Sequence, residues 1–156
     1  MRALRQDVDL VGGRSPGSRC SWSAGFLFGL LFVVSGLAGH LAGYRQLAGY
    51  AAAKKIPFAG PAVLVSGVMI ILGGIGIIAG IWADLSALAI AVFLFGTAFF
   101  IHNFWTLPKD DAMARLQDMT QFQKDLALLG ASLVFFAMTA FGGEFGPSVT
   151  EPLFDL

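Results

Sequence analysis

The sequence predicts an all-α, polytopic membrane protein: a four-helix antiparallel transmembrane bundle with short interfacial helices in its first and third connections. Composition is one ground. Hydrophobic residues make up 56% of the 156 and charged residues 13%, with a mean hydropathy of +0.75, whereas about 25% of a soluble domain is charged. The second is the run of apolar stretches, Cys20–Tyr44, Ile56–Ala83, Leu85–Leu107 and Leu126–Gly143. Each can supply the ~20 apolar residues that cross a bilayer. The third is the spacing of small residues inside these stretches, which marks helix faces. One domain is expected: residues 1–20 as a disordered N-terminal tail, 21–141 as the transmembrane bundle and 142–156 as a C-terminal tail, also mobile.

Arg2, Arg5, Arg14 and Arg19 precede the first span as they would in a signal peptide. Its apolar run is too long for one, however, and three more spans follow, so it reads as a retained helix. Gly29, Gly36 and Gly43 recur in it every seven residues, with His40 four after Gly36 on the same side. Lipid tails are as apolar as leucine, so membrane helices associate through close packing at small residues and through polar contacts. The glycines therefore mark a seam, and His40 points into the bundle.

The first connection, Gly43 to Lys55, is rich in alanine and reads as a short interfacial helix before Pro57 and Pro61. The second span places Ser66, Gly73 and Gly80 in the same rhythm, with Gly76 four before Gly80, as a second packing seam. The third sets Ala87, Ala91, Ala98, His102 and Trp105 along one face. In the third connection Asp110 and Asp111 suit a helix N-terminus. Met113, Leu116, Met119 and Phe122 then recur every third residue, as in a helix lying on the membrane and feeding into span four. The fourth span repeats Asp125, Ser132 and Thr139 every seven residues, a polar stripe that must face protein or trapped water. Ala127, Gly130 and Ala131 take much of the opposite side and offer a second interface, such as one with another subunit.

Alternating crossings put the ends of spans one and three and the starts of spans two and four on one membrane face. That face receives His40, a loop with Tyr44, Tyr50, Lys54 and Lys55, then His102, Asn103 and Trp105, and finally Lys124 and Asp125. The opposite face has the Trp82–Ser86 turn, with Asp84, and both termini. Ten basic against ten acidic residues leave no net charge, and no basic tract marks a nucleic-acid binder. Cys20 is the only cysteine, which excludes an intrachain disulfide, a CxxC pair and an iron–sulfur site made by this chain alone.

Several of these residues resemble the DoxX family of small four-helix bacterial membrane proteins. Phe99-Phe100-Ile101-His102-Asn103-Phe104-Trp105 is similar to the family's aromatic, histidine and tryptophan motif at the end of its third helix. Phe122-Gln123-Lys124-Asp125, followed by Leu126-Ala127-Leu128-Leu129-Gly130, resembles its fourth-helix start. Ser35-Gly36 with His40, Ile56-Pro57 and Gly73-Gly74 follow in the correct order. Asp125 stands where the family usually has asparagine, Asp84 where a basic residue is common, and the second helix lacks the acid often found before the glycine pair. The resemblance implies a bacterial inner-membrane protein linked to a redox system, such as a thiosulfate-to-quinone oxidoreductase subunit or an oxidative-stress complex. It also tilts both termini toward the cytoplasm, where the positive-inside count alone does not decide the orientation.

Taken as chemistry, the shared face suits a quinone headgroup, which needs an aromatic slot, hydrogen-bond donors and a proton carrier. His40, His102, Asn103, Trp105, Lys124 and Asp125 are the candidate binding residues, and an imidazole exchanges protons near neutral pH. Haem is disfavoured because four short helices packed at glycine leave little room for the macrocycle. No metal site is assigned, since a third ligand beyond the two histidines would have to be Asp125. Asp125 needs a partner, for which His40, His102 and Lys54 are placed better than the adjacent Lys124. The expected role is therefore an accessory or quinone-interacting subunit of a membrane redox system, needing a protein partner or a second copy. The rival is a noncatalytic scaffold or assembly factor binding another membrane protein; a solute carrier is weaker, because no inverted repeat is evident.

Overall fold

The computed structural model describes residues 16–141 and 148–154, with side chains from Ser21 onward. Helix α1, Pro16–Val34, is prolonged by a π-helical segment, Ser35–Ala42. Helix α2, Tyr44–Ala53, forms the first connection, and α3 follows at Ala59–Ala79. Helix α4, Ala83–Gly96, is prolonged by a second π-helical segment, Thr97–Ile101, and a 3-10 turn at Phe104–Thr106; α5 is Ala112–Ala140. Four of these are long and apolar enough to span a membrane: Ser21–Ala42, Ala59–Ala79, Ala83–Thr106 and Ala112–Ala140. At ~1.5 Å per residue even the shortest rises about 30 Å, the thickness of the hydrocarbon core. The protein is a polytopic all-helical bundle whose outer faces meet lipid.

Helix α3 packs against both α1 and α4, and α4 packs against α5. Phe28 of α1 stacks on Phe135 of α5 at 4.8 Å, closing the ring of helices. Phe28, Phe32, Ile70, Ile77, Ala87, Ile90 and Leu94 form its centre. Of the glycines that the spacing put on seams, Gly29, Gly36, Gly73 and Gly76 meet a neighbouring helix at close range. A Cβ on Gly29 would sit 2.5 Å from the Gly74 carbonyl oxygen, and one on Gly73 would sit 2.9 Å from Ile90. Gly36 and Gly76 similarly leave no room against Ile71 and Ser86. Backbones this close let dispersion act over many atoms at once, which is what holds helices together in lipid.

The structure departs from the sequence reading in four places. Gly80 does more than its spacing predicts: buried, it ends α3 with φ 65°, the left-handed stop that glycine adopts without strain, and the N–H of the following Ile81 donates to the Gly76 carbonyl at 2.9 Å. The amphipathic stretch Met113–Phe122 is not a separate helix but the first turns of α5, because nothing between Ala112 and Leu129 breaks helix propagation. Asp111 caps it, accepting from the Ala114 N–H at 3.1 Å. Trp105 leaves the seam of Ala87, Ala91 and Ala98 and is 48% exposed, since the π-helical segment and the break at His102 change the helical phase. Finally, the described part of the C-terminal tail folds back onto the end of α3 and the start of α4. The Val149 and Thr150 N–H groups donate to the Gly80 carbonyl, and the Phe154 N–H donates to Asp84 Oδ2 at 2.6 Å. Residues 1–15, most of the expected N-terminal tail, lie outside the described residues.

Candidate functional site

A cavity of about 740 Å³ opens between the helices in the half of the bundle that holds both π-helical segments. Such segments are rare and concentrate at functional sites. Here they delimit the stretches that carry the two histidines. Phe32, Ile70, Phe93, Phe100 and Leu128 contribute to a mostly apolar wall, and His40, Tyr50, Thr97, His102, Lys124 and Asp125 supply its polar groups. The volume falls within the roughly 300–1,000 Å³ of small-ligand sites.

His40 is buried in the first π-helical segment. Its Nδ1 donates to the Ser35 carbonyl at 3.3 Å, and its ring meets Phe93 edge-on at 5.7 Å. Gly67 makes this possible, since a Cβ there would lie 2.5 Å from the Cβ of His40. His102 follows the second π-helical segment and sits between two carboxylates. Its Nδ1 is 3.8 Å from Asp118 Oδ1, and its Nε2 is 3.8 Å from Asp125 Oδ2. Asp125 is 5% exposed. Its Oδ2 and the Nδ1 of His102 are buried without a hydrogen-bond partner among the described residues. Of the partners considered for Asp125, His102 is the one within ion-pair reach.

The sequence-predicted residues separate into two groups. His40, His102, Lys124 and Asp125 line the cavity, with Lys124 at the surface and bonded to Gln121. Asn103 and Trp105 do not line it. Asn103 accepts from Lys54 Nζ at 3.1 Å, while Trp105 joins Phe99, Phe104 and Phe122 in a cluster with centroid spacings of 5.2–6.4 Å. An exposed aromatic group of this kind suits the membrane–water interface.

Sequence reasoning missed Asp118. It lies seven residues before Asp125, so it extends the buried stripe of Asp125, Ser132 and Thr139, and that spacing was available as a signal. Lys54 forms an ion pair with it, the two side chains being only 11% and 8% exposed. Tyr50 donates to its Oδ1 at 2.8 Å. Burial of the phenol, followed by the hydrogen bond to Asp118 and the nearby negative charge, pushes the Tyr50 hydroxyl up to about 12. Further along the stripe Ser132 donates to the Ala87 carbonyl at 2.6 Å, and Thr139 returns its hydroxyl to the Phe135 carbonyl. These contacts are structural.

No curated protein and no solved structure matched the chain. The DoxX family model matches residues 26–103, half of the chain, taking in most of the first three spans and His40 and His102 but neither Asp118 nor Asp125. With its four apolar helices, the chain belongs to the DoxX family and is a multi-pass membrane protein.

Proposed function

We propose that this protein is an accessory, quinone-interacting subunit of a membrane redox system, and that the cavity beside His102 and Asp125 is where the quinone headgroup is held. One observation supports this above the rest: an apolar chamber of small-ligand size ends at the buried Asp125 carboxylate, whose Oδ2, beside His102 Nε2, has no hydrogen-bond partner among the described residues. Buried polar atoms without partners cost about 1–3 kcal/mol each. A ring carrying carbonyl or hydroxyl oxygens would remove that cost. Phe93 and Phe100 would flank such a ring, while Thr97, His102 and Asp125 would meet its oxygens. When bound, a quinone supplies reversible carriage of electrons and protons between redox partners.

The chain's own residues would orient the ring, exclude water and exchange its protons. Lys124, at the opening of the chamber, would favour the anionic form of an oxygen placed there. We further place the protein in the bacterial inner membrane with both termini cytoplasmic; a reporter fused after Leu156 and active only on the outside of intact cells would overturn that orientation.

Purification in mild detergent, followed by solvent extraction and absorbance, tests the main reading. Co-purifying quinone that is lost from a folded His102→Gln variant supports it. A bare protein with a stoichiometric membrane partner supports the rival scaffold role instead. That rival also draws on the lipid-facing side of α5, where a Cβ on Gly130 would meet nothing within 4 Å.

A further inference from the structure

The two carboxylates that flank His102, each 3.8 Å from a ring nitrogen, are not held alike. Asp118 is fixed by Lys54 and by the Tyr50 hydroxyl from α2, so that two independent donors hold its carboxylate in place before His102 is considered. The Tyr50 ring lies 6.5 Å from the imidazole at 35°. Lys54 also donates to Asn103, the residue that follows His102, which ties the backbone at the end of the third span to the same anchor. Asp125, on the other side, has no comparable clamp on Oδ2. The two carboxylates lie on one face of α5, two turns apart, and the ring bridges them from α4.

We propose that Asp118 is a positioning residue: clamped by Lys54 and Tyr50, it makes His102 carry its proton on Nδ1 and present Nε2, beside Asp125, as the proton-exchanging edge of the cavity. A carboxylate fixed by two donors is an acceptor, so the ring nitrogen facing it must be the donor. The opposite nitrogen is then a lone pair directed at Asp125. This is the logic by which a buried carboxylate selects the tautomer of a catalytic or metal-binding imidazole. Both gaps of 3.8 Å are longer than a hydrogen bond. Such contacts tighten once a ligand seats.

The step is proton exchange alone. Nε2 takes a proton from a bound hydroxyl or from the Asp125 carboxyl: an N–H bond forms, an O–H bond breaks and its electron pair stays on oxygen, while Nδ1–H remains on Asp118. The reverse returns the neutral ring. The charged and titratable groups around His102 are Tyr50 and Lys54 from α2 and Asp118, Lys124 and Asp125 from α5. Helix α3 contributes none, since Ala59–Ala79 contains no ionisable residue. Asp118 thereby becomes part of the site although it does not touch the chamber.

The proposal rests on the quinone reading for what the exposed edge acts upon, but not for the tautomer. Nuclear magnetic resonance of the protein in nanodiscs, with its two histidines labelled with the NMR-active nitrogen isotope, reads the tautomer directly. The His102→Gln spectrum assigns the signals. Above the titration of free imidazole, wild-type His102 is expected to be protonated at Nδ1. Asp118→Asn, whose amide can donate, is expected to move the proton to Nε2, and Asp118→Glu to return it to Nδ1. A wild-type ring protonated at Nε2, or an Asp118→Asn ring unchanged, overturns the proposal; if that variant does not fold, the wild-type spectrum alone decides. Added short-chain quinone should then shift the Nε2 signal and leave Nδ1 in place. Failure of that last arm alone overturns the quinone reading and leaves the tether standing.

Discussion

The two ends of the bundle solve the packing problem in opposite ways. At the Trp82–Ser86 end, glycines bring backbones together, the Ser86 hydroxyl turns back to the Ile81 carbonyl, and residues Ser148 to Phe154 cover the turn. At the other end both π-helical segments interrupt regular winding, the helices part around a chamber, and charged side chains take over as the contact between α2, α4 and α5. The first end is held by dispersion and backbone hydrogen bonds, the second by a polar network and aromatic rings. The two histidines and the carboxylates beside His102 thus sit where the helices part, while Asp84, buried at the closed end, accepts from the Phe154 N–H.

Removing one member of the polar network should have the largest effect. Lys54→Met leaves the Asp118 carboxylate buried without its cation and is expected to cost about 3 kcal/mol or more. Joint replacement, Lys54→Met with Asp118→Leu, should recover most of that loss. Thermal unfolding in detergent measures both, and a double variant no more stable than the single one would break the contrast between the ends. Next is the glycine seam. Gly29→Ala pushes a methyl against the Gly74 carbonyl and Ile78, for an expected loss of about 1–3 kcal/mol. Gly130→Ala, on open lipid-facing surface, should instead change stability by less than about 1 kcal/mol, in the stabilising direction.

A smaller effect belongs to Tyr50. Its phenol titrates at about 12 rather than the ordinary 10, so the fold favours the protonated form. That contribution is complete below pH ~10 and disappears as the pH rises towards ~12. Absorbance of tyrosinate in a Tyr44→Phe background isolates the residue, since these are the two tyrosines of the chain. A midpoint at the ordinary value would show that the clamp on Asp118 does not form, and Asp118→Asn should bring it down.

The closed end was largely legible in the sequence. Seven-residue spacing found Gly29, Gly36 and Gly73, because a regular helix repeats its face nearly every two turns. The same arithmetic found Asp125, Ser132 and Thr139, and carried one step further it would have reached Asp118. It failed where winding is irregular. Trp105 was placed on the seam by a spacing that the second π-helical segment cancels. Gly80 was read from a spacing that matches Gly73, which gave no sign of the positive φ that the end of α3 requires. The start of α5 was hidden by polarity: Arg115, Gln117, Asp118 and Gln121 resemble a surface helix, yet Asp118 is buried by partners from α2. A lysine and a tyrosine more than sixty residues away in sequence give no local signal.

The most direct test of a ligand chamber at the open end is photolabelling of the protein in native membranes with a quinone analogue that carries a photoreactive ring. Crosslinks on the third span between Phe93 and His102, and on the facing turns of α5 around Lys124 to Leu128, are the predicted result, with loss of label when unmodified quinone is in excess. Label confined to outward-facing positions such as Val65 and Leu72, and insensitive to that competition, would contradict the account.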